Sequence, residues 1–308
     1  MIELPDVDSL FDGGLGEWLE GQKAARARTA AKLFKIRIWG VAAAAIVGTI
    51  ALVMGWGTFG YFAAGIIGFG FFAYGQHIQQ QMVNILKQEM NGSLAKALDI
   101  NYSVDAFPGQ EFKTARTYRL LPSHDDSYFQ DQWHGSISGT DFLLYETRLT
   151  EEQGSGKDKQ TVTVFSGIVL RLQFARSFLG TTLVRRDGFK FTLFGDNKNY
   201  GGEKLERIKM VHPDFEDTFD VYGNDQVESR YLVHPEYCER LLAIEREFDG
   251  SKMTALFKEG DIILVMKTND MFESASLDPA QDRERLGKTI SQFATIAALV
   301  KKLNERPR

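Results

Sequence analysis

Asp225, Glu228 and Arg230 fall within six residues of one another, between Tyr222 and Tyr231. Two carboxylates and a guanidinium at that spacing can bind a polar ligand or a peptide. Two carboxylates can also act as acid and base on a bound substrate, and His234 close behind extends that to a hydrolytic enzyme using Asp225, Glu228 or His234. The same residue types also serve structure, the carboxylates capping turns and pairing with Arg230, and charge clusters at turns more often do that.

Other matches to chemical motifs fail on their context. Residues 55–60, GWGTFG, fit the G-x-G-x-x-G dinucleotide pattern, but no strand precedes them and no βαβ unit surrounds them. Gly154-Ser155-Gly156-Lys157 has Glu151 where a phosphate loop needs its first glycine, and Asp158 where magnesium needs Ser or Thr. Gly135–Gly139 has the frame of a nucleophile elbow with Ile137 at its centre, so the nucleophile is missing. The histidines are His77, His124, His134, His212 and His234, none spaced as zinc ligands on one helix. His234 and Cys238, four apart, supply two ligands at most. No metal and no cofactor are expected.

Composition narrows the class. The chain has 308 residues and a net charge of −5, which carries no nucleic-acid signature. Cys238 is the only cysteine, so no internal disulfide can form, in keeping with a reducing cytoplasm.

The dominant element is Ile38 to Gln76, which contains no Asp, Glu, Lys or Arg; the uncharged run extends to Leu86. It is too long for one membrane span and suits two of about 20 residues each. The glycines of 55–60 mark the turn. Gly40, Ala44 and Gly48 recur at every fourth position, as do Gly60, Ala64 and Gly68, a spacing that lets two helix backbones pack closely. Trp39 and Tyr74 are expected at one interface, Trp56 and Tyr61 at the other.

Lys23, Arg26, Arg28, Lys32, Lys35 and Arg37 precede the first span, while the turn is uncharged. Basic flanks stay cytoplasmic, so both termini are expected inside, at the bacterial inner membrane, and the basic cluster is the expected membrane-surface site. The run begins too late and is too long for a cleavable signal peptide. Residues 1–14 are expected to be loose. Residues 15–35 read as an interfacial amphipathic helix or as a plain extension of the first span. Residues 76–90 continue the second span, with a stop at Asn91–Gly92; that seam is too short for a coiled coil, though self-association of the chain stays open.

From about residue 104 the apolar period changes to two. Tyr118 and Leu120 alternate, Leu143, Tyr145 and Leu149 face one way, and Val162 to Phe174 form the clearest strand, with a bulge or bend at Ser166–Gly167. Hairpins are expected at 183–193 through Asp187–Gly188, and at 253–267 through Glu259–Gly260. Helices are expected from Pro235 and from Asp278-Pro279 onward, the latter with an apolar face of Leu286, Ile290, Phe293, Ala297, Val300 and Leu303. The fold class is therefore α+β: an N-terminal two-helix transmembrane hairpin, then a mostly antiparallel sheet with helices packed on one face. The segments are 1–35 (basic, cytoplasmic), 36–76 (hairpin), 77–100 (helical linker) and 101–308 (cytoplasmic domain).

Residues 215–235, FEDTFDVYGNDQVESRYLVHP, together with Phe165-Ser166-Gly167, Phe178-Leu179-Gly180-Thr181-Thr182 and Phe272-Glu273, resemble the bacterial family catalogued as domain of unknown function 3137. The resemblance covers about residues 100–305, with Ser229 where alanine is expected. It implies a bacterial inner-membrane protein and brings no reaction, cofactor or catalytic residue. The expected role is a membrane-anchored binding or scaffold protein with a protein partner and the lipid bilayer as its surroundings. The alternatives are a membrane-bound enzyme and a sensor of anionic lipid. A transport role is disfavoured, because the two spans hold no ionisable group.

Overall fold

The computed structural model describes residues 4–154, 159–173, 178–186, 197–210, 218–233, 235–269 and 271–304. The chain divides into two compact units. One holds Asp6–Ser93 and Glu273–Gly287; the other holds Met1–Pro5, Leu94–Phe272 and Lys288–Arg308.

The first unit is built on the hairpin. A short helix α1 (Val7–Leu10) and an irregular turn at Phe11–Leu15 lead into α2 (Gly16–Val53). The N-terminal segment is thus helical from Val7 rather than loose. Residues 15–35 form no separate interfacial helix: α2 runs unbroken into the apolar run, so the plain extension is what forms. Met54–Trp56 turns the chain, and α3 (Gly57–Ala97) returns. Both helices are long and apolar enough to cross a membrane.

The small-residue rows meet as expected. A Cβ on Gly68 would lie 3.6 Å from that of Ala44, and one on Gly48 4.0 Å from that of Ala64. At Gly60 a Cβ would come within 2.0 Å of the Ala51 Cβ, so only glycine permits that approach. The outward positions, among them Val41, Ile46, Val53, Phe62, Ile66 and Phe69, are exposed. A surface of that size in water would be an aggregation site; in lipid it is solvated.

The expected stop at Asn91–Gly92 does not occur. Leu86, Met90 and Leu94, spaced by four, are all fully buried, and burial along that face carries the helix past a local breaker. Segment 273–287 completes this unit. Asp282 accepts from Arg26 at 2.7 Å, Glu273 accepts from Lys87 at 2.7 Å, and Arg283 pairs with Asp8.

The second unit is one ten-stranded sheet, all of its pairs antiparallel. Its strands are β1 (Asn101–Asp105), β2 (Asp126–Ile137), β3 (Thr140–Gln153), β4 (Gln160–Gln173), β5 (Thr182–Arg186), β6 (Asn197–Tyr200), β7 (Glu203–Ile208), β8 (Phe219–Gly223), β9 (Ser251–Lys258) and β10 (Asp261–Lys267), in the order 1-2-3-4-10-9-5-8-7-6. The β9–β10 hairpin turns at Glu259–Gly260 as expected, both residues having positive φ. The bulge in β4 lies at Val164, where the register with β3 slips between Leu149 and Thr150, and not at Ser166–Gly167. Thr182–Arg186 is a strand, whereas the Asp187–Gly188 turn and the strand expected after it lie outside the described residues.

Helices α4 (Gln110–Thr117), α5 (Gln226–Leu232), α6 (Pro235–Glu247) and α7 (Asp282–Asn304) complete the chain. Helices pack on both faces of the sheet rather than one. On one face Phe112 of α4 meets Phe129 at 5.0 Å, in a cluster with Tyr145, Leu149, Val169 and Leu256. On the other, Phe293 of α7 meets Trp133 at 4.6 Å, and Tyr237 of α6 meets Phe257 at 5.3 Å. Alternation along β9 separates the two sets, since Leu256 and Phe257 are neighbours in sequence and so point to opposite sides.

Candidate functional site

Helix α5 is seven residues long and owes its start to Asp225. The Asp225 Oδ1 accepts from the backbone N–H of Val227 and of Glu228, both at 2.9 Å. That cap turns Glu228 inward, where it is buried. Its Oε1 accepts from Leu179 N–H at 2.8 Å and its Oε2 from Gly180 N–H at 2.6 Å. A carboxylate holding two backbone N–H groups is a charge-assisted clamp. Around it, Asn224 Oδ1 accepts from Thr181 N–H at 2.7 Å, and the hydroxyls of Thr182 and Ser229 are 2.7 Å apart. Residues 178–182 and 224–229 are thus one structure. A Cβ on Gly180 would lie 2.4 Å from Asn224 Oδ1, which explains the glycine.

The five sequence-selected residues do not form one pocket. Glu228 spends both oxygens on backbone N–H groups, and Asp225 its Oδ1. Arg230 is exposed and donates Nε to the Lys209 carbonyl at 3.4 Å. Tyr222 is buried in the sheet cluster, its ring 6.2 Å from that of Tyr200. Tyr231 is partly exposed, one turn beyond Val227 on α5. His234 lies outside the described residues. The clamp does bring Leu179, 85% exposed, beside the start of α5, where Val227 is 80% exposed. The sequence marks neither, because an exposed apolar residue has no periodic signal.

A second polar node was not legible either. Tyr118 Oη donates to Glu203 Oε1 at 2.7 Å, and Lys258 Nζ donates to the same oxygen at 2.8 Å. Burial opposes ionisation of Glu203, but the hydrogen bonds from Lys258, Tyr118 and Thr181 outweigh it and hold the carboxyl below the usual range. Burial together with Glu203 pushes the Tyr118 phenol up. Burial works against the Lys258 ammonium, yet its bonds to Glu203, Glu259 and Tyr118 keep its pKa raised. All three move away from neutrality, opposite to what proton transfer near pH 7 needs. The node ties β7 and β9 to the residue that follows α4.

A cavity of about 220 Å³ lies over β2–β4, lined by Tyr128, Gln130, Glu146, Arg148, Ser166 and Asn269 among others. Gln130 Nε2 donates to Glu146 Oε2 at 3.0 Å in its wall. Of the basic residues before the first span, Lys23, Arg28, Lys32, Lys35 and Arg37 are exposed on α2. Arg26 differs: it is 1% exposed and turned to Asp282. Among the described residues no cluster of three or more His, Cys, Asp or Glu is placed to hold a metal.

Comparison with known proteins adds a family. No curated protein matches the chain in sequence. Among solved structures, the mycobacterial trehalose monomycolate transport factor A, TtfA, aligns over 73% of this chain and 98% of its own, at 11% identity and a TM-score of 0.37, a likeness too low to transfer fold or role. Residues 163–305 match the family described as "Protein of unknown function (DUF3137)". The match begins in β4 and takes in the whole clamp, both 178–182 and 224–229, while β1–β3 and α4 lie before it. The chain therefore carries, over residues 163–305, a DUF3137 domain.

Proposed function

We propose that this is a membrane-anchored binding or scaffold protein. Its hairpin lies in the bacterial inner membrane with both termini cytoplasmic, and its sheet domain presents a protein-binding surface at the clamp. The observation that carries the reading is the exposure of Leu179 and Val227, both at least 80% exposed, on the two segments that the buried Glu228 carboxylate joins. The fully buried core of a protein interface is apolar, which exposed aliphatic side chains on a hydrogen-bonded frame can supply. The hydrolytic alternative has less support, because both Glu228 oxygens and the Asp225 Oδ1 are committed to backbone N–H groups.

The test is crosslinked purification of the full chain from native membranes, with mass spectrometry of what accompanies it. A reproducible protein partner, lost in Leu179→Asp/Val227→Asp while thermal stability is kept, is the expected result. Retention of a small molecule instead, with no protein, would favour a ligand in the cavity over β2–β4.

A further inference from the structure

On α2 the buried positions Leu19, Arg26, Leu33 and Gly40 recur every seven residues and define its inward face. Arg28, Lys32, Lys35 and Trp39 are exposed. At 3.6 residues per turn they fall within an arc of about 60°, centred about 140° round the helix from the inward face. The arc climbs about 16 Å from Arg28 to Trp39 and ends where the uncharged run begins at Ile38. Trp39 stands at the level where indole rings prefer the headgroups.

No Asp or Glu occurs between Gly21 and Gln88. Four of the ten acids of the same unit are engaged elsewhere: Glu20 with Lys23, Asp282 with Arg26, Glu273 with Lys87, and Asp8 with Arg283. Among the described residues Arg28, Lys32 and Lys35 make no ion pair. The returning helix adds no Lys or Arg to this level, since 76–81 reads Gln-His-Ile-Gln-Gln-Gln.

We infer that Arg28, Lys32, Lys35 and Trp39 form a binding stripe for anionic phospholipid, which takes the lipid phosphate on the cations and the upper acyl chain against the indole. The inference rests on the membrane reading above and adds the lipid class and the residues. Long basic side chains reach the headgroup phosphates while their stems lie along apolar surface. A stripe of unpaired cations next to an interfacial tryptophan concentrates anionic lipid.

The test places the full chain in phosphatidylcholine vesicles containing phosphatidylglycerol brominated on its acyl chains, and reads tryptophan quenching. The stripe predicts quenching above the bulk mole fraction of phosphatidylglycerol, a component absent in Trp39→Phe and weakened by salt. Arg28→Gln/Lys32→Gln/Lys35→Gln should reduce the relative affinity for phosphatidylglycerol by about 100-fold. Lys113→Gln, exposed on α4 and outside the basic cluster, should leave it unchanged. Quenching that follows the bulk mole fraction, or that survives the triple substitution, overturns the stripe. Carbonate extraction separates the two readings: a chain that inserts but does not enrich the lipid overturns the stripe alone, and a chain that does not insert overturns both.

Discussion

Glu228 and Gly180 are 48 residues apart in sequence, and the Glu228 Oε2 accepts the Gly180 N–H at 2.6 Å. With the Leu179 bond this makes one side chain hold two consecutive N–H groups of the 178–182 segment. Glu228→Gln keeps a single acceptor and turns an amide toward the other N–H. Hydrogen bonds to charged groups contribute about 1.5–3 kcal/mol, and a loss of that order is expected in chemical denaturation of the solubilised chain. An unchanged midpoint would show that the loop seats itself without the clamp.

Gly180→Ala tests the same place by sterics. The new Cβ would lie 2.4 Å from Asn224 Oδ1 and 3.0 Å from Asp225 Cβ, in a junction already closed by hydrogen bonds. Overpacking of this kind costs about 1–3 kcal/mol. The melting temperature should fall, and Gly180→Ala combined with Asn224→Ala should recover part of the loss.

The hairpin packing is checked by crosslinking. A Cβ on Gly68 is 3.6 Å from that of Ala44, within the range a disulfide spans. Ala44→Cys/Gly68→Cys in a Cys238→Ala background should therefore oxidise to an intramolecular disulfide in membranes. Formation of dimers alone would contradict the packing.

The fold was readable in the sequence wherever the signal is local. The uncharged run and the Glu259–Gly260 turn each depend on neighbouring residues and stand where the sequence places them, while Asp278 caps a 3-10 turn, Pro279–Gln281, that leads into α7 at Asp282. Helix α4 was read through as strand, because Tyr118 and Leu120 alternate just beyond its end and only Phe112 and Ala115 mark its face. The Asn91–Gly92 stop failed because burial of Leu86, Met90 and Leu94 overrides it. The clamp was half readable. Residues 178–182 and 215–235 both stand out in the sequence, but the bonds joining Glu228 to Leu179 and Gly180 cross more than forty residues and leave no periodic trace.

Acid should weaken the node at Glu203. Its carboxyl sits below the usual range in the folded protein, so the unfolded chain binds more protons on the acid side. Its stabilising contribution is present above the unfolded value, about pH 4.3, and is lost as pH falls through the lower folded value. The melting temperature should drop on acidification below about pH 4.3, and Glu203→Gln should show a smaller drop over the same window from a lower starting value. Equal slopes would remove Glu203 from the acid response.

Arg26 and Asp282 form a buried pair, and burial, outweighing the pull of Arg26, holds the Asp282 carboxyl above its usual range. Arg26→Ala strands that carboxylate and should cost about 3–5 kcal/mol. Arg26→Met/Asp282→Leu removes both charges and should restore most of the stability. A double variant as weak as the single one would show that the pair itself, and not the stranded charge, sets the energy.

The central claim is that the clamp presents Leu179 and Val227 to a protein partner at the membrane. A photo-crosslinking amino acid at position 179 of the full chain, activated in intact cells, tests it most directly. One discrete protein adduct is expected, which disappears with Glu228→Ala and is absent when the crosslinker is moved to the exposed position 113. Adducts at 179 only with lipid, or none in cells where the protein is abundant and folded, would contradict it.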